Sequence, residues 1–123
     1  MEEIANQFKQ VFSGLERAHG IYEITGQKNT AKGVKKDGKG RTLLEPLTLE
    51  LWEKHLKGEI SIGVVPLTDD ETCKWGCIDV DEYPIDTKHL LNKIDEMELP
   101  LLPCMTKSGG VHLFLFTKEP ISA

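Results

Sequence analysis

Apolar residues recur at helical spacing near the start of the chain, where Ile4, Phe8, Val11, Phe12 and Leu15 fall within EIANQFKQVFSGLE. A period near 3.6 predicts an amphipathic helix over 3–16. Gly20 interrupts it, and IYEITG at 21–26 alternates like a short strand. The next stretch, TGQKNTAKGVKKDGKGR at 25–41, has three glycines between 33 and 40 and few apolar residues, which predicts a loop.

After Pro46, Thr48 is placed to cap a helix with Leu51, Trp52, His55 and Leu56 on one side and Gly58 at its end. His55 on that stripe reads as a core or helix-surface histidine rather than a ligand. EISIGVVPL at 59–67 reads as a strand, closed by Pro66 and the polar turn TDDET.

The second half is more regular. A strand over 74–81, KWGCIDVD, runs into a turn at Glu82-Tyr83-Pro84. Asp86 then caps a helix whose Leu90, Leu91, Ile94 and Met97 form one face. Two short apolar segments follow, LLPCMT at 101–106 and VHLFLF at 111–116, separated by KSGG. Strand, helix and strand pair make half of a ferredoxin-like or RNA-recognition-like unit, a βαββ unit over 74–119 preceded by a small α/β region over 1–67. The expected class is therefore α+β. A complete split unit needs another helix and strand, so either 1–123 is one incomplete domain of a longer protein or residues 1–67 supply the missing layers.

Composition narrows the class. At 123 residues with 39% hydrophobic and 28% charged side chains, the chain suits one globular domain with a core, and is too small for several enzymes. No run approaches the roughly 18 apolar residues of a membrane span, and MEEIANQFKQ is too acidic and polar for a secretory signal. The expectation is a cytoplasmic protein without a membrane partner. Cys73, Cys77 and Cys104 form no even-numbered disulfide framework, and C-x3-C lacks a second close pair of zinc ligands. Buried or neutral thiols are expected.

The net charge of −5 is unevenly spread. Segment 25–41 holds Lys28, Lys32, Lys35, Lys36, Lys39 and Arg41 against Asp37 alone, so it carries +5 and leaves −10 on the other 106 residues. A basic segment on an acidic body suits the capture of polyanion such as nucleic acid, although a solvated loop accounts equally for the composition.

The acidic pair in CIDVD changes the picture further. On a strand, a period of two sends Asp79 and Asp81 to one face, and their repulsion calls for a positive partner, for which a divalent cation is the obvious candidate. If the strand over 111–116 pairs beside this one, His112 shares their side while Val111, Leu113 and Leu115 face the core. Two carboxylates suit one or two magnesium or manganese ions, and an imidazole nearby suits nucleotide phosphates. In the loop before the histidine, Gly109 and Gly110 let backbone N–H groups approach phosphate, Ser108 offers a hydroxyl and Lys107 a charge. The G-x4-G-K-[ST] order of a Walker A loop is absent, and KSGG is equally a good hairpin turn.

These motifs resemble the archaeo-eukaryotic primase superfamily, the primase-polymerases of plasmids, phages and mobile elements. HLKGEISIGVVPLTDDETCKWGCIDVDEYP and CMTKSGGVHLFLFTKEP carry the likeness, with Asp79 and Asp81 matching the family's D-x-D and Gly110-Val111-His112 its small-x-His motif. RAHGIYEITG and the basic segment also resemble the N-terminal portion of primases from mobile conflict elements. The resemblance implies that Asp79 and Asp81 hold Mg2+ or Mn2+ and that His112 contacts the phosphates of an incoming nucleoside triphosphate. It also implies a single-stranded DNA template and a helicase domain or subunit as partners. The family's third acidic motif, on a later strand, has no counterpart before the chain stops, and Glu119 is a poor substitute. Two other readings stay open. A non-catalytic nucleic-acid or partner-binding module would use Phe114 and Phe116 for stacking or docking, unless they pack under the N-terminal helix. A replication nickase would want H-x-H, where Phe114 stands two beyond His112, and a helix-borne tyrosine, where Tyr83 lies in a turn.

Overall fold

A computed structural model describes residues 1–31, 33–107 and 109–123. Among the described residues the chain is α+β, with three helices and two antiparallel three-stranded sheets. The first sheet has the order β2-β1-β3, built from β1 (His19–Thr30), β2 (Gly33–Leu43) and β3 (Ser61–Gly63).

The basic stretch expected as a loop is instead most of the β1–β2 hairpin, paired from His19↔Leu43 to Thr30↔Gly33. One of its glycines serves packing. A Cβ on Gly38 would lie 2.3 Å from the Tyr22 ring, so the missing side chain makes room for an aromatic lying across the ribbon. Its charges serve pairing, because Arg41 Nη2 lies 3.1 Å from Glu23 Oε1 and Lys28 Nζ 3.5 Å from Asp37 Oδ2. Glycine and lysine content suggested a loop, whereas cross-strand neighbours decide for a ladder. The register shifts between Ile24 and Gly26, so β1 carries a bulge at Thr25. Lys32 lies outside the described residues.

The strand expected over 59–67 is confined to Ser61–Gly63, which pairs with Gly20–Tyr22. Downstream, the backbone turns to the N-terminal segment, where Leu15 N–H donates to Val65 O at 2.8 Å. Gly14 permits this approach, since a Cβ there would come 2.2 Å from Val65 O.

Helix α1 (Glu2–Val11) is shorter than its apolar spacing predicts. Its cap residue Phe12 has left helical geometry, with φ −99° and ψ 41°. That departure aims the ring into the second sheet, with centroids 5.3 Å from Trp75, 5.4 Å from Phe114 and 5.6 Å from Phe116. Phe114 and Phe116 thus pack beneath the N-terminal helix. Trp75 Nε1 donates to Ser13 O at 2.8 Å and fastens the same junction. Helix α2 (Leu49–Leu56) is capped as expected, Thr48 Oγ1 accepting from Leu51 N–H at 3.3 Å, and Gly58 follows it at φ +77°. Its Trp52 is buried and its His55 spends Nδ1 on Ile60 O at 3.1 Å.

The second sheet has the order β4-β6-β5, with β4 (Thr72–Val80), β5 (Leu102–Met105) and β6 (Val111–Ser122), and β6 is antiparallel to both neighbours. Helix α3 (Thr87–Glu96) joins β4 to β5 and starts at Asp86, whose carboxylate accepts from His89 N–H at 3.0 Å. Ile94 on α3 packs against Val111 and Leu113, with Val80, Ile85, Leu90 and Leu101 around them. Leu91 and Met97, expected on the same face, are exposed, because Leu91 flanks the stripe and Met97 stands at the C-cap. Residues 1–67 add no described strand to this sheet. They cover its second face through Phe12.

Replacing Phe12 by Ala is expected to cost about 2–3 kcal/mol in urea unfolding, below the range for a fully buried Phe because the site is half-buried. Phe8→Ala, at a more exposed ring, should cost less; equal losses would show that Phe12 is not the hub of the cluster.

Candidate functional site

The antiparallel register of β4 and β6 sets Asp79 opposite His112, and that of β5 and β6 sets Cys104 opposite the same histidine. Cross-strand partners share a face, so these side chains stand together, away from the α3 core. Asp79 Oδ1 lies 3.5 Å from His112 Nε2, a contact that becomes an ion pair when the imidazole is protonated. Asp81 follows the last residue of β4 and receives a hydrogen bond of 3.4 Å from Tyr83 Oη. Tyr83, which sequence reasoning considered only as a nucleophile, is thus a partner of the second carboxylate.

The turn before His112 is held by Thr106. Its backbone N–H donates to Gly110 O at 2.9 Å, its carbonyl accepts from Gly109 N–H at 3.1 Å, and its Oγ1 accepts from Gly110 N–H at 2.9 Å. Gly109 sits at φ +87°, where glycine is favoured. The two glycine N–H groups expected to greet phosphate are therefore occupied within the turn, because this tight reversal needs them to close. Ser108 lies outside the described residues. Lys107, exposed, leaves its ammonium as the turn's charged group.

A cavity of about 840 Å³ opens beside this turn. Thr106, Lys107 and His112 line one wall, and Thr30, Val34, Lys35 and Lys36 of the β1–β2 hairpin line the other. The structure therefore brings Lys35 and Lys36 to the histidine, which spacing in the sequence could not reveal, since the two segments are about 70 residues apart. Of the other described cations of the segment, Lys28 pairs with Asp37 and Arg41 with Glu23, while Lys39 stands opposite Glu23 in the register with no ion pair among the described residues.

Cys77 and Cys104 are exposed and Cys73 is half-buried, so of the expected buried or neutral thiols none is fully buried. Local desolvation, and then the neighbouring Asp79 carboxylate, push the Cys77 thiol above its ordinary range and keep it neutral at pH 7. Among the described residues no group of three or more His, Cys, Asp or Glu side chains is arranged to hold a metal. Nor is any described helix long and apolar enough to cross a membrane.

Residues 5–123 match the archaeo-eukaryotic primase domain of the TOTE conflict system. The chain belongs to this family. No curated protein matches it. Membership makes this a domain of the nucleotidyltransferase type, as the D-x-D and the small-x-His motifs implied. The match covers the hairpin, the D-x-D strand and the turn before His112, so the elements that line the cavity all lie within the archaeo-eukaryotic primase domain.

Gly110 is buried, and a Cβ there would sit 2.9 Å from Tyr83 Oη, 3.0 Å from Thr106 Oγ1 and 3.2 Å from Val80 O. Gly110→Ala is therefore expected to cost about 1–3 kcal/mol by overpacking, read by urea unfolding. An unchanged midpoint would mean that Tyr83 and Thr106 yield freely.

Proposed function

We propose that this chain forms the nucleotide-binding part of a primase-polymerase, with its nucleoside triphosphate site at the ends of β4 and β6. The observation that carries the reading is the pairing of Asp79 with His112 beside a lysine-lined cavity. The order β4-β6-β5, with α3 joining β4 to β5, supports half of a ferredoxin-like or RNA-recognition-like βαββ unit as the scaffold.

Asp79 and Asp81 would hold the divalent cation. Both are exposed carboxylates, and magnesium commonly takes only one or two from the protein, with water and substrate phosphates completing its shell. Bound magnesium or manganese supplies positive charge to phosphate oxygens and acidifies a hydroxyl. His112 and Lys107 donate to the triphosphate, and Asp79 orients the imidazole toward it. Thr106 holds the turn through Gly109 and Gly110, so Lys107 is its group for phosphate, and Ser108 is proposed beside it from the sequence motif alone. The basic segment over 25–41 offers charge to polyanion, the single-stranded template being one such ligand. The reaction of the complete enzyme is attack of a 3′-hydroxyl on the α-phosphate. The hydroxyl proton passes to water, the new P–O bond forms as the bond to the bridging oxygen breaks, and pyrophosphate leaves with its electron pair. A helicase domain or subunit would supply the unwound template.

A second reading, a module that binds nucleotide without polymerising it, rests on the same Asp79–His112 pairing and lysine-lined cavity.

Calorimetric titration with manganese and a nonhydrolysable nucleoside triphosphate tests the site. Metal-dependent binding is expected for the natural sequence, with a loss of at least about tenfold in Asp79→Ala/Asp81→Ala, whose exposed substitutions leave the fold intact. Equal binding by both proteins would remove the carboxylates from the site. Binding without template-dependent incorporation, in a protein carrying the whole catalytic domain, would select the non-catalytic reading.

A further inference from the structure

The hairpin divides its positive charges between two tasks. Lys28 and Arg41 are spent on Asp37 and Glu23, at 3.5 and 3.1 Å, and Lys39 stands opposite Glu23. Lys35 and Lys36 differ, for no carboxylate faces them across the ladder, where their partners are Lys28 and Gln27. Among the described residues neither has a carboxylate within ion-pair distance, and both are exposed at the tip of the ribbon. Lys35 also stands directly opposite Lys28, a like-charge pairing that is unfavourable unless an anion relieves it. Asp37 relieves Lys28, which leaves Lys35 uncompensated.

These two ammonium groups line the cavity shared with Lys107 and His112. Three lysines and an imidazole around about 840 Å³ make a concentrated positive site whose complement is a compact polyanion carrying several charges in a small volume. An extended strand presents one charge per nucleotide and would engage only a fraction of this set at once. We infer that Lys35 and Lys36 bind the β- and γ-phosphates of the incoming nucleotide rather than the template, so that the hairpin tip forms one wall of the triphosphate site. This assignment rests on the nucleotide-binding reading above and gives the tip lysines a separate role within it.

The arrangement also has a mechanical side. β3 pairs with β1 only at Gly20–Tyr22, so beyond that point the hairpin is a two-stranded ribbon with a bulge at its root. Two-stranded ribbons are marginally stable alone. A polyphosphate bridging Lys35 and Lys36 to Lys107 and His112 would brace the ribbon against the second sheet and reward ligands in proportion to their number of phosphates.

The test measures affinities for inorganic tripolyphosphate and for a single-stranded oligothymidylate, in EDTA so that no divalent metal contributes. Lys35→Ala/Lys36→Ala is expected to lose about tenfold in tripolyphosphate affinity while oligothymidylate affinity stays within about twofold. Lys88→Ala/Lys93→Ala, which removes the same charge from exposed positions on α3, should leave both affinities within about twofold. Equal losses for the two ligands, or equal losses from the α3 variant, would overturn the assignment in favour of general electrostatics. Unchanged tripolyphosphate affinity in Lys35→Ala/Lys36→Ala, with a loss in His112→Ala, would overturn the hairpin wall and leave the nucleotide site standing. Absence of binding by the natural sequence to both tripolyphosphate and the manganese nucleotide would overturn both.

Discussion

The contact on which the rest depends is the Phe12 ring. It lies where α1 ends and touches Trp52 of α2, Trp75 of β4 and Phe114 and Phe116 of β6. The two sheets share no strand among the described residues, so this cluster helps to set their relative placement, with the Trp75 to Ser13 bond and the Arg17 to Asp69 ion pair beside it. Edge-on and stacked aromatic pairs contribute about 0.5–1.5 kcal/mol each beyond their buried area, and their preferred angles also resist sliding. The lysine cavity has one wall on each sheet, so a hydrophobic contact at a helix end sets the geometry of a charged site.

Electrostatics then divides the labour within the hairpin. A net charge of +5 over 25–41 suggested one undifferentiated basic surface. The ladder gives Arg41 a partner in Glu23, outside the segment, and gives Lys28 its partner in Asp37. Exposed pairs like these add little stability, about 0–1 kcal/mol each, yet they lower the effective charge along the ribbon and leave its excess at the tip. Charge counting from sequence overstates the root of the hairpin and understates the contrast between root and tip.

How much could be read beforehand follows from which forces are local. The caps Thr48 and Asp86 were legible because a side-chain oxygen reaches a backbone N–H three residues on, whatever surrounds it. The D-x-D strand and the histidine strand were legible from their period of two, and an α+β class followed from the order of elements. The hairpin was not, because Gly38 acquires its meaning only from the Tyr22 ring on the opposite strand. The strand expected over 59–67 was drawn too long for a related reason: Val65 bonds to Leu15, some 50 residues earlier, and apolar content cannot distinguish that contact from a ladder. Lys35 and Lys36 were named as basic residues, but their place beside His112 depends on how the two sheets meet.

The adjacent carboxylates can now be understood without requiring a metal for folding. Asp79 has the His112 imidazole across the strand pair, Asp81 has the Tyr83 hydroxyl, and both are exposed to water. Their repulsion is screened and each has a polar neighbour, so the folded chain tolerates both charges. On the proposed reading, in which Asp79 and Asp81 hold a divalent cation, two such carboxylates leave its shell to be completed by water and by the phosphate oxygens of the nucleotide. The lysines opposite have the matching property, since they too are left for phosphate to neutralise. On that same proposed reading, the carboxylates and the lysines are complementary to the two parts of a metal-bound triphosphate, the cation and the phosphates.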